Sequence, residues 1–277
     1  MNRCDICLEE NCKGAHNCHC ETCSHISECY RVLHATIRIT NKCTQKCGHC
    51  AFNSCPESNI MMSIEEAKKI GKFLKNNGIT YINVMGGEFF CNPDWYEILS
   101  ILISSVDFMR IVSNGDWAVS DDQKSKLLDL VNNRRDKIRI SISNDKWHTN
   151  TNVGKAEAWL KTNGILHNIG DDSNMPDTGV VPVGRGDQVS SMYSFFSCYC
   201  HNPVHMYSFL IDEEGKVYKC GFGVWNYAKV DDYIDGGFRA RFKEFNKKFY
   251  DIFVPSCSSC IRVASQEVDN IVQGRRD

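Results

Sequence analysis

Three thiols within eight residues, Cys43-Thr-Gln-Lys-Cys47-Gly-His-Cys50, constrain this chain more than any other stretch. They come just after an apolar run, Ala35-Thr-Ile-Arg-Ile-Thr40, that reads as a strand, so they belong to the loop at its C-terminal end. Iron–sulfur clusters are held by cysteine thiolates, normally four. A tight loop with only three leaves one iron open to a small-molecule chelator. A structural zinc wants four closed ligands instead, and His49 offers a fourth. Buried or free thiols without metal are the third reading that spacing allows.

Length and composition narrow the setting. A chain of 277 residues suits one large domain, or a barrel with a small appendage. An apolar fraction of 42% and a charged fraction of 24% are those of a globular protein. The net charge of −2 offers no basic face for nucleic acid, and no polybasic run points to a membrane. No long apolar stretch and no signal peptide are visible, so a cytoplasmic location is expected. Cytoplasmic thiols stay reduced, which turns the 17 cysteines away from disulfides and towards metal. They cluster as metal ligands do: seven from Cys4 to Cys29, three in the central loop, five from Cys198 to Cys260. Cys55 and Cys91 stand apart and read as small buried hydrophobes.

After the first strand, helical and strand patterns alternate. Ser63-Ile-Glu-Glu66 opens a helix with a capping box, continued by Ile64, Ala67, Ile70, Phe73 and Leu74 and ended at Gly78. Strands are expected at 80–85, 108–113 and 137–142, with helices at about 94–104, 121–131 and 155–162. Weaker strands follow near 165–169 and 180–183. This alternation predicts a parallel α/β sheet with right-handed crossovers, and six repeats make a partial barrel. Barrel chemistry sits on the loops at the C-terminal ends of the strands. Those loops hold the thiols, then Gly86-Gly87-Glu88, Ser113-Asn114-Gly115 and Ser143-Asn144-Asp145. Any one of these sets can be turn punctuation; four on one rim predict a site.

The triad spacing, followed by Gly86-Gly87-Glu88 after the second strand, resembles the signature of the radical S-adenosylmethionine (SAM) enzymes. The resemblance spans about 35–186. It implies a [4Fe–4S] cluster on Cys43, Cys47 and Cys50, with SAM chelating the fourth iron. It implies that Gly86 and Gly87 let the backbone approach the methionine amino group and that Glu88 accepts a hydrogen bond from it. Ser113 and Asn114 then line the SAM site, and Ser143 or Asp145 contacts ribose. His49 occupies the place of an aromatic ring that lies against adenine. Val181-Pro-Val-Gly-Arg-Gly186 resembles a sixth-strand motif, in which Arg185 reaches for the SAM carboxylate or stays on the surface.

Two further cysteine groups flank this core. Cys200-x14-Gly215-x4-Cys220 and Cys257-Ser-Ser-Cys260 surround a predicted hairpin, 207–211 and 216–219, turned at Asp-Glu-Glu-Gly. Four thiols so placed suit a zinc ribbon. They also resemble the twitch domain, a shortened SPASM domain, which implies a second, auxiliary [4Fe–4S] cluster on Cys200, Cys220, Cys257 and Cys260, with Cys198 able to replace Cys200. The N-terminal seven, Cys4 to Cys29, have no spacing that assigns their ligands. Cys18, Cys20, Cys23 and Cys29 suffice for a third iron–sulfur cluster or a zinc. His148 is a candidate general base or an ordinary loop residue.

The expected architecture is thus α/β: a cysteine-rich segment at 1–34, a partial (β/α)6 TIM-type barrel at 35–190, and a twitch/SPASM-like domain of hairpin and helix at 191–277. The implied activity is reductive cleavage of SAM to a 5′-deoxyadenosyl radical that abstracts a hydrogen atom from the substrate. Oxidative modification of a peptide or protein is the favoured outcome, with a dehydrogenase of a small polar metabolite close behind. A reducing partner such as flavodoxin or ferredoxin is implied. A zinc-binding interaction protein on a degenerate barrel is the reading from another class.

Overall fold

The computed structural model describes residues 33–132, 134–149, 152–171, 185, 208–219 and 226–242. Five parallel strands alternate with four helices: β1 (His34–Arg38), α1 (Ile64–Asn76), β2 (Tyr81–Met85), α2 (Trp95–Ser104), β3 (Phe108–Ser113), α3 (Asp121–Asn132), β4 (Ile138–Asn144), α4 (Val153–Thr162) and β5 (His167–Asp171). Three more strands, β6 (Ser208–Ile211), β7 (Lys216–Tyr218) and β8 (Asn226–Lys229), complete one sheet in the order β5-β4-β3-β2-β1-β6-β7-β8. The strand expected at 180–183 lies outside the described residues.

Local chemistry accounts for the elements. Ser63 caps α1 by accepting the Glu66 amide at 3.1 Å, and Ala67, Ile70, Phe73 and Leu74 form its buried stripe. Before α2, the Asn92 side chain accepts the Asp94 amide at 3.0 Å, and Pro93 presets the turn. The same buried Asn92 donates to the carbonyls of Ile39 and Met62 at 3.0 and 2.9 Å, pinning both ends of the cysteine loop. The core is continuous from Ile37 on β1 to Ile142 on β4 and Leu160 on α4.

The hairpin departs from the expected layout. β6 pairs in parallel with β1, Ile37 opposite Ile211, so the hairpin lengthens the barrel sheet. Burial of Phe209 against Phe73 and Phe238 explains the docking, because a lone hairpin leaves its apolar face in water. β8, which sequence patterning missed, pairs antiparallel with β7. The turn at Asp212–Gly215 therefore reaches the rim that carries the thiols. There Arg38, at the end of β1, clamps the buried Glu213 with both Nε and Nη2 at 2.8–2.9 Å. Among the described residues, no helix is long and apolar enough to cross a membrane.

Candidate active site

The cysteine loop is folded back on itself before any ligand is considered. Thr40 bridges to Met61 and Lys42 to Cys55, so residues 40–61 form a closed flap over the ends of β1 and β2. The amides of Gly87 and Glu88 donate to Thr40 and Lys42 carbonyls at 2.7 and 2.8 Å, continuing β2 along the base of this flap. That contact explains the paired glycines. A Cβ on Gly86 would meet the Thr40 carbonyl oxygen at 2.8 Å, and one on Gly87 would meet that of Lys42 at 2.2 Å.

Flap and strand ends enclose a cavity of about 320 Å³, at the small end of ligand sites. Cys43, Cys47 and Cys50 line it, together with Gly86 and Gly87 after β2, Ser113 and Asn114 after β3, and Ser143 and Asp145 after β4. His49, His148 and Arg185 line it as well. The four rim sets that sequence spacing singled out do converge. Burial pushes the Cys43 thiol up to about 12 and the Cys47 thiol up to about 11. Such thiols ionise only beside a cationic centre. Two N–H groups already point at Cys43 Sγ, the Gln45 amide at 3.4 Å and Asn114 Nδ2 at 3.9 Å.

The three sulfurs do not all lie within 4.8 Å of one another. One tetrahedral zinc, with Zn–S near 2.3 Å, would hold its sulfurs about 3.8 Å apart. Three thiols without a fourth suit a polynuclear iron centre that leaves one iron open, whereas a structural zinc wants four closed ligands.

Glu88 differs from its expected place. It does not line the cavity: it is 1% exposed, with Oε1 accepting from Ser113 Oγ at 2.9 Å and Oε2 from the Asn114 amide at 2.7 Å. Two donors on the β3 turn draw the carboxylate under the rim. Burial pushes its carboxyl up to about 8, against the pull of those two hydrogen bonds. Arg185 is also engaged inside the protein. Its Nε donates to the Cys47 carbonyl at 2.9 Å, a terminal nitrogen donates to Ser54 at 2.7 Å, and its amide donates to Cys50 at 3.0 Å. These three bonds brace the flap.

His49, Asp145 and His148 form a polar group on the cavity wall. Asp145 Oδ2 lies 2.8 Å from His148 Nδ1 and 3.5 Å from His49 Nε2. Burial works against its carboxylate, but the hydrogen bond and charge of His148, then the Trp147 amide, hold it below the usual range. The His49 ring faces Trp147 at 6.2 Å between centroids. Trp147, Gln45, Phe52 and Asp116 were not singled out by sequence. Trp147 directly follows Asp145-Lys and was within reach of the rim-loop reading; Gln45 carries no signal beyond lying between two cysteines. Cys198, Cys200, Cys220, Cys257 and Cys260, like Cys18, Cys20, Cys23 and Cys29, lie outside the described residues.

An α/β sheet with a triad of thiols on its C-terminal rim, closed by a glycine pair, defines a class of enzyme, and the comparisons name it. Residues 37–172 match the radical SAM superfamily model, and the chain belongs to that superfamily. Membership brings a [4Fe–4S] cluster and SAM as cofactors. Among curated proteins, the antilisterial bacteriocin subtilosin biosynthesis protein AlbA of Bacillus subtilis (strain 168) is 33% identical over 46% of this chain. The SAM-dependent nucleotide dehydratase RSAD2 of Siniperca chuatsi is 29% identical over 47%. These matches span 27% and 36% of the two relatives' lengths. Among solved structures, BtrN in complex with AdoMet and 2-DOIA superposes with a TM-score of 0.55 at 14% identity, covering 77% of this chain and 85% of BtrN. Native anSMEcpe with bound AdoMet and Cp18Cys peptide gives 0.51 at 13%, covering 88% and 97%. Both establish the fold.

Proposed function

We propose that the chain is a radical SAM enzyme of the cytoplasm that oxidatively modifies a peptide or protein, with Cys43, Cys47 and Cys50 as the ligands of its cluster. The observation that carries this reading is the convergence of three thiols, Cys43 and Cys47 buried and Cys50 half-buried, and the β2, β3 and β4 rim loops on one cavity. When bound, the cluster supplies the electron that splits SAM into methionine and a 5′-deoxyadenosyl radical, which takes a hydrogen atom from the substrate.

The residues then take these roles. Gly86 and Gly87 keep side chains off the floor of the site, so backbone groups can meet the methionine end of SAM. Ser113 and Asn114 flank that end, while Ser143 and Asp145 face the ribose. His49 and Trp147 offer ring faces for the adenine. Glu88 acts from below, holding the β3 turn in place. Arg185 fixes the flap carbonyls, and its cation beside Cys47 eases thiolate formation. His148, oriented by Asp145, is the candidate acceptor for the substrate proton.

The similarity to a bacteriocin biosynthesis protein supports a peptide substrate over a small metabolite. An auxiliary cluster on Cys200, Cys220, Cys257 and Cys260, in a domain at 191–277, would take the substrate electron, and a metal in the 1–34 segment would complete the set. A flavodoxin or ferredoxin would reduce the enzyme. Anaerobic reconstitution with iron and sulfide, then dithionite and SAM, tests the core of this. Wild type should form 5′-deoxyadenosine and the Cys43→Ala/Cys47→Ala/Cys50→Ala variant none. Zinc in place of iron, or equal product from both, would overturn it.

A further inference from the structure

Gln45 lies between two of the thiols, yet its side chain is turned inward and only 6% exposed. A side-chain amide carries a donor and an acceptor on one planar group. Both are used. Nε2 donates to Asp116 Oδ2 at 3.2 Å, and Oε1 accepts the Thr149 amide at 3.0 Å. The partners dictate the orientation, since a carboxylate only accepts and a backbone N–H only donates. Asp116 is itself a junction. Its Oδ2 also accepts from Thr44 Oγ1, its Oδ1 accepts from Asn152 Nδ2 at 3.1 Å, and its amide donates to Asn114 Oδ1 at 2.9 Å. Asn114 closes the circuit by donating to Thr44 Oγ1 at 2.9 Å and to Cys43 Sγ.

We propose that Gln45 and Asp116 form a positioning lock that ties the cysteine loop to the β3 and β4 rim loops, holding Cys43 and Cys47 ready for the cluster. The proposal rests on the reading of the triad as cluster ligands. Its physical content is preorganisation: a short loop that must present three thiolates in one geometry is fixed by side chains from two other loops before metal arrives. Neither residue ligates metal. Asp116 acts through the loop that carries the thiols, and Gln45 acts also through Oε1, which accepts from Cys47 Sγ at 3.4 Å.

The lock makes an inverse-rescue prediction. Gln45→Glu sets two carboxylates against each other across the 3.2 Å contact. Asp116→Asn exchanges one of the two acceptor oxygens for a donor and removes one charge. Together they restore a donor–acceptor pair with the polarity reversed: the new Asn amide donates, and the second oxygen of the new Glu still accepts from Thr149. The net charge equals that of the wild type. The readout is the rate at which a strong iron chelator strips the reconstituted, SAM-free protein. Iron held at the triad is counted as the excess over the Cys43→Ala/Cys47→Ala/Cys50→Ala variant.

Gln45→Glu should lose that iron about 10-fold faster than wild type and Asp116→Asn about 3-fold faster, while the double variant should return to within about 3-fold. Release from Gln45→Glu at the wild-type rate, or multiplying effects in the double variant, would overturn the lock and leave the triad reading intact. Equal iron in wild type and triple variant would overturn both. Should Gln45→Glu fail to fold, Asp116→Asn decides: release at the wild-type rate overturns the lock, and recovery of a soluble, iron-holding double variant supports it.

Discussion

At the scale of single residues, two positions show how tightly the rim is specified. Gly87→Ala would drive a Cβ into the Lys42 carbonyl oxygen and the Cys43 side chain, and backbone yields less than side chain. A loss of about 1–3 kcal/mol is expected, read as a lower urea midpoint. Gly154→Ala is the contrasting case: nothing lies within 4 Å of the new Cβ, in the first turn of α4. That variant should be as stable as wild type or more so, by up to about 1 kcal/mol. Glu88 gives a pH signature in the cofactor-free protein. Its folded pKa of about 8 exceeds the ordinary value, so the folded state binds its proton more tightly than the unfolded state does. The contribution to stability is therefore complete below about pH 4.5 and is lost as pH rises towards 8. Between pH 5 and 8, the stability of wild type relative to Glu88→Gln should fall, by at most about 1.4 kcal/mol per unit. A parallel pair of urea curves would show the carboxyl ionised throughout and the expectation wrong.

At the scale of elements, the alternation of periods was legible because each crossover helix buries one stripe and each strand is apolar on the core side. α1 begins where the Ser63 cap signal places it, and β3 spans the expected residues. Ser63→Ala should cost about 1 kcal/mol, without moving the rim. Asn92 is a different case. Its amide is buried beneath the flap, and nothing in its sequence neighbourhood beyond Asn-Pro announces a structural role. Asn92→Ala strands two buried carbonyls, those of Ile39 and Met62. A larger loss, about 2–4 kcal/mol, is expected, together with faster proteolysis within 40–61. β5 begins two residues later than its apolar pattern suggests, because pairing with β4 puts His167 opposite Ile140.

For the whole molecule, the consequential contact is the seam between β1 and the hairpin. Arg38 clamps Glu213, and the Arg38 guanidinium also lies 5.0 Å above the Phe52 ring, which lines the cavity. Burial raises the Glu213 carboxyl and the Arg38 charge opposes that rise, so the pair keeps an otherwise costly ion in place. Arg38→Ala leaves that carboxyl buried without its cation. Hydrogen exchange should then quicken in 208–218 by at least about 10-fold, while β3 and β4 change little. Uniform loosening would mean that the sheet behaves as one cooperative unit across the seam. The turn also meets α1, since Glu66 in its first turn packs where a Cβ on Gly215 would stand.

The sequence by itself determined the chemistry class and the parallel frame. Three thiols at fixed spacing after a strand and a glycine pair after the next are local facts, and alternating apolar periods dictate which faces must be buried. Tertiary structure alone decided where Glu88 points, since two donors on the β3 turn outweigh a place on the cavity wall. It alone turned Arg185 onto flap carbonyls, merged the hairpin with the barrel sheet, and made Gln45 a joint between loops. Each of these depends on a partner 25 to 175 positions away along the chain. Such partners are set by how sheet register brings loop ends together, and no local pattern encodes that distance.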